Sequence, residues 1–320
     1  MRAVQIGPAK QLLLEEVPVP TIKPHEVLVQ VAATAVNRAD ILQRQGFYPP
    51  PPGASEILGL EVSGRIVQIG KEVENWNIGD AVCAVITGGG YAEFAVVPGS
   101  QLMPIPSGID LIAAAALPEV TCTVWSNLFM LGGLRAGEKI LIHGGASGIG
   151  TMAIQLAKWA GCEIFTTASS AKHDVCTFLG ADHCIDYKSE DFVEKAQGVN
   201  VILDIMGASY LEKNLKTLAP NGRMVIIGLQ GGRKAELDLS YMLTKRISIV
   251  ATTLRGRTEE ERGQIAASTA SHIWPLFSDG TLRPVIDSYL PLSEVNLAHE
   301  KISANEHIGK IVLTVNSELE

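Results

Sequence analysis

Hydrophobic residues in the first third of the chain form short runs that glycine and proline interrupt. The runs at 27–31 and 61–69 are rich in β-branched residues, and the second alternates between apolar and polar positions before Gly70. This texture is typical of a compact β-rich fold, because turn residues must separate short strands. The proline-rich stretch at 48–53 predicts a stiff loop, since proline continues neither a helix nor a sheet ladder.

The pattern changes between residues 121 and about 255, where apolar runs alternate with segments of helical periodicity. Strands are predicted there at 140–143, 164–168, 199–204, 223–227 and 247–253. Apolar strands that alternate with helices indicate a parallel sheet covered on both faces. After about residue 260 the β-rich texture returns. We therefore predict an α/β fold in which the C-terminal segment completes the first domain.

Composition excludes several classes of protein. A length of 320 residues suggests two domains, and 26 basic against 34 acidic residues give a net charge of −8. Without a basic run, this balance argues against nucleic-acid binding. No apolar run approaches the roughly 20 residues that span a bilayer, and the start shows no secretory signal. Five scattered cysteines without a CxxC pair indicate reduced thiols, so we expect a cytoplasmic protein.

The segment IHGGASGIGTMAIQLA at 142–157 carries the sharpest signal for a ligand. It places a glycine-rich turn between a predicted strand and a predicted helix. Gly148, Gly150 and Ala153 fit the GxGxxG/A fingerprint, in which Gly148 permits the tight turn and Gly150 lets a pyrophosphate approach the backbone. Free N–H groups at the helix start, around Ile149, would face the phosphates. We therefore predict a Rossmann domain that binds a dinucleotide.

The residues after the next strand favour one dinucleotide over another. A free ribose 2′-hydroxyl calls for an acidic residue about 20 positions on, but the nearby acids are Glu163, at the strand start, and Asp174, inside the next helix. Ser170 and Lys172 instead offer a hydroxyl and an ammonium group, which suit a 2′-phosphate. Tyr187, after the following strand, could close over the same phosphate. These residues predict NADPH rather than NADH, unless Lys172 is only a solvated helix-start residue.

Six motifs follow one another along the chain: VNRADILQRQGFYPPPPGAS (36–55), LGLEVSGRI (58–66), GGGYAEFAVVP (88–98), ALPEVTCTVW (116–125), HGGASGIG (143–150) and IDYKSEDF (185–192). With them, the chain resembles the zinc-free quinone oxidoreductase branch of the medium-chain dehydrogenase/reductase superfamily. The NRAD stretch at 37–40 and Ser147 are similar to its inducible NADPH quinone oxidoreductase subgroup. The usual family turn, AxxGxxG, has glycine at the position of Ser147, whose hydroxyl would lie near the nicotinamide.

The resemblance implies how the domains are arranged. A Rossmann NADPH-binding domain, residues 121–260, would be inserted in a GroES-like catalytic domain made of residues 1–120 and 261–320. The protein would form a homodimer through edge strands of the nucleotide-binding sheet, near residues 247–253.

The resemblance also implies that the site holds no metal. Zinc-dependent relatives carry a GHE motif whose histidine binds the ion, and Leu60 stands at that position before Glu61. Leucine cannot coordinate zinc, and no cysteine stands near Asn37, where those relatives have another ligand. We therefore expect Glu61 to be a buried, hydrogen-bonded carboxylate.

The implied reaction is the reduction of a quinone by hydride transfer from NADPH. Such a reaction can proceed without a Lewis acid, because the hydroquinone anion is already delocalised. Asn37 would hydrogen-bond the substrate carbonyl or orient the nicotinamide, or it would only stabilise a turn. Tyr48 would bond the developing oxyanion or stack on a ring, or it would be an exposed loop residue.

Several further residues are predicted to contact the cofactor. Thr123 matches the residue that holds the nicotinamide carboxamide in relatives, or it caps a helix. Gly228 and Leu229 follow the fourth nucleotide-binding strand, where open parallel sheets place ligands. Leu254 is expected to end the last strand of that sheet, and Asn305 would reach the cofactor from the C-terminal segment.

Two other functions stay open at this point. The same fold serves alkenal and enoyl-thioester reductases, so the acceptor could be another electron-poor small molecule. The chain could also bind NADPH without catalysis. The histidines show no relay spacing, so His143 is expected to be a packed residue rather than a base. Surface positions are expected for His25, His272, His299 and His307.

Overall fold

The computed structural model describes residues 1–319, which fold into two compact units. Unit 1 comprises Met1–Cys122 and the chain from Leu254 onward, and unit 2 comprises Thr123–Thr253. The chain therefore enters unit 2 once and leaves it once. The domain limits drawn from the sequence, at residues 120 and 260, stay a prediction.

Strands occur in both units and are numbered in chain order. They are β1 (Arg2–Ile6), β2 (Leu12–Glu16), β3 (Glu26–Ala35), β4 (Glu61–Ile69), β5 (Ala81–Val85), β6 (Phe94–Pro98), β7 (Leu102–Pro104), β8 (Lys139–His143), β9 (Glu163–Ala168), β10 (His183–Asp186), β11 (Val199–Asp204), β12 (Leu218–Ile226), β13 (Ser248–Ala251), β14 (Ile286–Pro291) and β15 (Lys310–Thr314).

The helices are shorter than ten residues with two exceptions, α3 and α8. They are α1 (Arg38–Gln45), α2 (Pro118–Val124), α3 (Gly148–Trp159), α4 (His173–Leu179), α5 (Phe192–Lys195), α6 (Leu211–Thr217), α7 (Leu239–Lys245), α8 (Glu259–Ser278) and α9 (Val295–Ser303). Across residues 1–319, no helix has the length and apolar content needed to cross a membrane.

Unit 1 is built on a sheet with the strand order β14-β15-β3-β4-β5-β7, in which β6 also pairs with β3. The pairing is antiparallel except between β14 and β15. Strand β3 is buried along almost its whole length, because its sequence EVLVQVAATA is apolar on both faces. Its valines pack against β4 and β5 in one core cluster, represented by Val29, Ile66 and Val82.

Unit 2 contains a parallel sheet with the order β10-β9-β8-β11-β12-β13. The chain starts in the middle at β8, moves outward to β10, and then returns to β11 on the other side of β8. This order confirms the predicted parallel sheet, and it puts the point of reversal between β8 and β11, where doubly wound sheets bind their ligands. The central strands are apolar in their middle, as in Ile140, Leu141 and Ile142 of β8, all of which are fully buried.

Two local expectations at the ends of unit 2 were wrong. Leu254 does not end a strand, because β13 pairs only with β12 and the pairing stops where Ala251 lies opposite Ile226. Thr123 does not cap a helix. It lies in the last turn of α2, which begins at Pro118, and proline is favoured in the first turn because its missing N–H would be unpaired there anyway.

The surface positions predicted for two histidines were also wrong. His299 is 1% exposed and His307 is 8% exposed. His299 lies on the face of α9 that packs into unit 1, together with Val295, Ala298 and Ile302. Its polar ring reaches the hydroxyl of Tyr91 inside that core, so a hydrogen bond accompanies its burial.

Candidate functional site

The glycine-rich turn after β8 is closed by a serine. Gly144, with φ of +74°, makes the tight turn in the left-handed region that favours glycine, a role expected of Gly148. Ser147 then caps α3: its Oγ accepts a hydrogen bond from the Gly150 N–H at 3.0 Å and donates to the Gly144 carbonyl at 2.7 Å. A serine in place of the usual family glycine therefore stabilises the helix start.

The start of α3 has the features of an anion site. The N–H groups of Gly148 and Ile149 lie in the first helical turn, and neither has a hydrogen-bond partner within residues 1–319. A Cβ atom at Gly150 would collide with the carbonyl oxygen of Gly144, so this glycine lets the helix approach the turn. Free amides at the start of a twelve-residue helix, at the carboxyl edge of the sheet, fit the diphosphate of a dinucleotide.

The residues predicted to bind a 2′-phosphate are brought to one edge of the parallel sheet. Ser170 and Lys172 lie on a 3₁₀ turn immediately after β9, and Tyr187 lies immediately after β10. The two strands are parallel neighbours, with Ala168 opposite Asp186 at their ends. Ser170 is exposed, Lys172 is half-buried and Tyr187 is 46% exposed. A hydroxyl, an ammonium group and a phenol can therefore face a common ligand there.

Gly228 and Leu229 lie after β12, as predicted, in a loop at the carboxyl edge of the same sheet. A Cβ atom at Gly228 would come within 2.8 Å of the carbonyl oxygen of Ile205, so glycine permits close approach of two loops. Leu229 is 51% exposed. An exposed apolar side chain at this edge is suited to contact a flat ligand.

His143 at the end of β8 is a packed residue, as predicted. It is 1% exposed, and its ring nitrogens contact Thr167 Oγ1 at 3.1 Å and Asn214 Oδ1 at 2.8 Å. Burial lowers its pKa to about 4. The imidazole is therefore neutral at physiological pH and fully engaged, which does not suit a general base.

A buried polar cluster forms around Asn37 in unit 1. The Lys310 ammonium group donates to Asn37 Oδ1 at 2.6 Å, to Glu61 Oε1 at 2.8 Å and to the Val36 carbonyl at 3.1 Å. Asn37 Nδ2 donates to Glu61 Oε1 at 2.9 Å and to the Ala35 carbonyl at 3.3 Å. Both N–H groups of the amide are thus used internally, and its orientation is fixed.

Glu61 is the buried, hydrogen-bonded carboxylate expected from the sequence, with 0% exposure. Its second oxygen, Oε2, accepts a hydrogen bond from the Glu119 N–H at 2.8 Å. Burial and the neighbouring Glu61 charge raise the pKa of Glu119 to about 8. Glu119 is therefore mainly protonated at pH 7, so a neutral carboxyl group lies beside the ion pair.

A second buried network holds the helix that carries Asn37. Asn37 is the N-cap of α1, and its backbone N–H donates to Asp40 Oδ2 at 2.8 Å. Asp40 also accepts from the Gly59 N–H at 3.1 Å and from the Tyr91 hydroxyl at 3.1 Å. The same hydroxyl lies 3.2 Å from His299 Nε2. Burial raises the pKa of Asp40 to about 6 and lowers that of His299 to about 3.

Tyr48 lies half-buried in the turn after α1, where Arg255 contacts it twice. The guanidinium carbon of Arg255 is 5.3 Å from the ring centroid, within the range of a cation–π interaction. Nη1 donates to the Tyr48 carbonyl at 3.4 Å, and Nε donates to the Thr87 carbonyl at 2.8 Å. Arg255 is 5% exposed, so a buried side chain holds the Tyr48 segment in place.

The remaining predicted cofactor residues occupy separate places. Thr123 is buried in α2, and its carbonyl accepts a hydrogen bond from Asn127 Nδ2 at 2.8 Å. Leu254 is 7% exposed. Asn305 follows α9 at the surface, and its Oδ1 accepts from Arg38 Nη2 at 2.8 Å. Their contacts with a cofactor stay a prediction.

Four residues of these clusters were not singled out as site residues from the sequence, namely Lys310, Glu119, Tyr91 and Arg255. Glu119 lies in one of the motifs that carried the resemblance, but nothing local marked it. Lys310 could have been noticed because it is the first residue of an otherwise apolar strand. A lysine buried there needs a hydrogen-bonding or charged partner, which would have predicted a polar cluster.

The residues around Glu61 do not fit a zinc ion. Leu60 has no donor atom, and the Glu61 carboxylate is bonded to Lys310. Tetrahedral zinc sites need several nitrogen, sulfur or oxygen ligands. Within residues 1–319, no group of three histidine, cysteine or acidic side chains is placed to hold a metal.

Known proteins resemble this chain in both of its parts. Residues 23–107 match the alcohol dehydrogenase GroES-like domain, and residues 179–313 match the zinc-binding dehydrogenase family. Over 326 residues the chain is 31% identical to the quinone oxidoreductase of Rattus norvegicus. The matched region covers 98% of this chain and 97% of that protein. These matches confirm the predicted GroES-like and Rossmann parts of the fold.

Two further known proteins are similar to this chain. The chain is 31% identical to the synaptic vesicle membrane protein VAT-1 homolog of Danio rerio over 92% of its own length, but it spans only 65% of that protein. The crystal structure of CurK enoyl reductase has a TM-score of 0.85 and 25% identity, over 98% of each chain. The chain is therefore an oxidoreductase that belongs to the medium-chain dehydrogenase/reductase superfamily, in its quinone oxidoreductase branch.

Proposed function

We propose that this protein reduces quinones by hydride transfer from NADPH, without zinc. The observation that carries the proposal is the cluster of Lys310, Glu61 and Asn37, in which an ammonium group holds the carboxylate beside the position where zinc-dependent relatives have their metal-binding histidine. A site without a Lewis acid favours an acceptor that is electron-poor by itself. A quinone meets this requirement, since hydride addition gives an aromatic, delocalised anion.

The cofactor proposal is supported by residues of unit 2. Members of the superfamily bind a nicotinamide cofactor, which supplies the hydride when it is bound. The free amides of Gly148 and Ile149 would hold its diphosphate, as the positive end of α3 attracts anions. Ser170, Lys172 and Tyr187 would hold the 2′-phosphate that distinguishes NADPH from NADH.

The acceptor would be handled by residues of unit 1. The Tyr48 hydroxyl would donate a hydrogen bond to the oxygen that becomes negative, and Arg255 would keep the Tyr48 segment in place. Asn37 has both amide N–H groups engaged, which supports a role in orienting the cofactor rather than in bonding the substrate carbonyl. Positioning of this kind lowers the barrier by holding the reactants in a reactive geometry.

A panel of acceptors tests this proposal directly. We expect NADPH oxidation with quinones and far slower turnover with NADH. Lys172→Ala should weaken NADPH binding by about 10–100-fold, the loss of a charge-assisted bond to phosphate, and leave NADH binding unchanged. Equal use of the two cofactors, or an equal loss for both in Lys172→Ala, would contradict the assignment of the 2′-phosphate site.

A second candidate is reduction of an activated double bond, as in an alkenal or an enoyl thioester. The similarity to CurK enoyl reductase favours it. The same panel separates the two, because an enoyl reductase would turn over enals or enoyl thioesters and leave quinones unreduced. A protein that binds NADPH tightly but reduces neither class would instead support a non-catalytic binding function.

The proposed enzyme would act on a small molecule as a homodimer in the cytoplasm, without nucleic acid or membrane. The free state of the five cysteines supports a reducing compartment. Strand β13 is an edge strand of the parallel sheet. It pairs with β12 on one side, and none of the described strands pairs with its other side, which supports an edge-to-edge dimer. Light scattering coupled to size exclusion would measure the mass, and a monomer would exclude this dimer.

A further inference from the structure

Glu119, in the first turn of α2, has a carboxyl group that the cluster around Glu61 does not use. Its backbone N–H donates to Glu61 Oε2 at 2.8 Å, which fixes its main chain beside the ion pair of Glu61 and Lys310. The carboxyl oxygens of Glu119 have no hydrogen-bond partner within residues 1–319. The side chain is half-buried, and its oxygens are not sealed in the core. This carboxyl group is therefore available to a ligand.

Groups from several elements of unit 1 set the charge of Glu119. They are Glu61 on β4, Lys310 on β15, Asp40 on α1, Arg255 before α8 and Cys122 on α2 itself. Burial is the largest influence on the pKa of Glu119, and the two neighbouring carboxylates act in the same direction, whereas the lysine and the arginine oppose them. The resulting pKa is about 8, so Glu119 carries a proton at pH 7.

The same cluster borders the place proposed for the acceptor. Asn37 donates to Glu61 Oε1 at 2.9 Å and caps α1, and Tyr48 follows shortly after the end of that helix. Leu60, next to Glu61, stands where zinc-dependent relatives have their metal-binding histidine, and a catalytic zinc acts on a substrate oxygen. An acceptor oxygen in this region therefore lies next to the residues that hold Glu119.

We propose that Glu119 is a catalytic residue, the acid that gives its proton to the acceptor oxygen that becomes negative. The hydride supplied by the cofactor brings two electrons and converts the quinone into a hydroquinone anion. The O–H bond of Glu119 then breaks, a new O–H bond forms on the anion, and Glu119 is left as a carboxylate that takes up a proton from water. One quinone, one hydride and one proton thus give one hydroquinone. This role rests on the proposed function.

The acidity of Glu119 suits this proton transfer. A phenol, the class to which a hydroquinone belongs, has an ordinary pKa of about 10, so an acid whose pKa is about 8 transfers its proton to the anion with an equilibrium constant of about 100. An acid with a pKa near the working pH is also present in its protonated form. Glu61 does not suit this role, because both of its oxygens already accept hydrogen bonds. Tyr48 would then hold the acceptor oxygen while Glu119 protonates it.

The pH profile of quinone reduction with saturating NADPH tests this role. In the parent, kcat should fall about tenfold for each pH unit above about pH 8, since only the protonated form of Glu119 reacts. Glu119→Gln keeps a hydrogen-bond donor but has no proton to transfer. Its kcat should be about 100-fold lower with a similar KM, and the alkaline fall should disappear. A parent-like kcat, or the same alkaline fall in Glu119→Gln, would overturn the proposal.

Two further variants separate this role from a general effect on the protein. Glu119→Asp keeps an acid and should retain an alkaline fall, with a kcat between those of the parent and Glu119→Gln. Glu74→Gln is the matched control, because Glu74 is an exposed glutamate of unit 1, and it should keep the kcat and the pH profile of the parent. A parent that reduces no quinone would refute the proposed function and this role together. A parent that reduces quinones, with a Glu119→Gln variant that matches it, would refute this role alone.

Infrared difference spectroscopy of the protein without cofactor gives a readout that does not depend on turnover. Between pH 7 and pH 9 the parent should lose the carbonyl band of one protonated carboxyl group, and Glu119→Gln should show no such loss. Asp40 and Asp204, each with a pKa of about 6, are mainly ionised over this whole interval and do not contribute. If the parent loses no carboxyl band between these pH values, or Glu119→Gln loses the same band, Glu119 does not hold the proton and the proposal is overturned.

Discussion

Replacing Lys310 by methionine removes the positive charge from the cluster that holds Asn37. Lys310 is 4% exposed and Glu61 is 0% exposed, and their charged atoms are 2.8 Å apart. Methionine has a similar length and is tolerated in cores, so the change removes the ammonium group with little change in volume. Glu61 would keep its hydrogen bonds from Asn37 and Glu119 but would lose its counter-charge.

The expected loss of stability is large. Removing one partner of a buried ion pair leaves an uncompensated charge and costs about 3–5 kcal/mol of the free energy of unfolding. Lys310 also donates to Asn37 and to the Val36 carbonyl, so the variant has three fewer hydrogen bonds. For a chain of this size, the loss corresponds to a fall in Tm of about 5–10 °C.

Thermal unfolding and urea denaturation of Lys310→Met measure the loss, and a double variant tests its cause. Glu61→Gln removes the second charge and keeps one acceptor oxygen. That oxygen can accept from Asn37 or from the Glu119 N–H but not from both, because these donors bond different oxygens of Glu61. If the buried charge is the cause, Lys310→Met with Glu61→Gln should be more stable than Lys310→Met alone. A loss below about 1 kcal/mol, or a double variant whose loss equals the sum of the two single losses, would refute the reasoning.

Three further predictions concern single side chains. Ser147→Ala removes the cap of α3 and should cost about 1 kcal/mol of stability, measured by urea denaturation, and Ser147→Asp should restore it; no loss in the alanine variant would contradict the capping role. Tyr48→Phe should lower kcat/KM for quinones about 10–100-fold with an unchanged Tm, because it removes one hydrogen bond to a charged oxygen; unchanged kcat/KM would exclude that bond. The pKa of Glu119 is raised from 4.5 to about 8, so the folded protein loses stability relative to the unfolded chain as pH rises across that interval. Glu119→Gln cannot ionise, so the Tm difference between variant and parent should move in the variant's favour from pH 5 to pH 8, and a constant difference would contradict the raised pKa.

The fold could be predicted from the sequence where local signals decide it. The turn around Ser147 and Gly150 stands between an apolar strand and an amphipathic helix, and each of these is encoded within a few residues. The parallel sheet followed from strands that are apolar on both faces. Strand ends were less predictable, since the end of β13 near Leu254 depends on where β12 stops pairing.

The clusters of unit 1 could not be predicted in the same way, because their members are distant in sequence. Lys310 meets Glu61 across 249 positions, and His299 meets Tyr91 across 208. Neither pairing leaves a local pattern. The contact of Arg255 with Tyr48 likewise joins two distant parts of the chain, so the role of Arg255 could not be predicted from its own sequence neighbours.

The place of β15 in the sheet of unit 1 has a consequence for biosynthesis. This strand lies between β14 and β3, and it pairs with β3 through Val312 and Ala35. Strand β6 already pairs with the first half of β3, but the end of β3 around Ala35 keeps an open edge until β15 has been synthesised, and Glu61 lacks its counter-charge until then. Unit 2, which is continuous in sequence, can fold earlier. An unpaired strand edge favours association with other chains, so we expect a need for chaperones until β15 has paired.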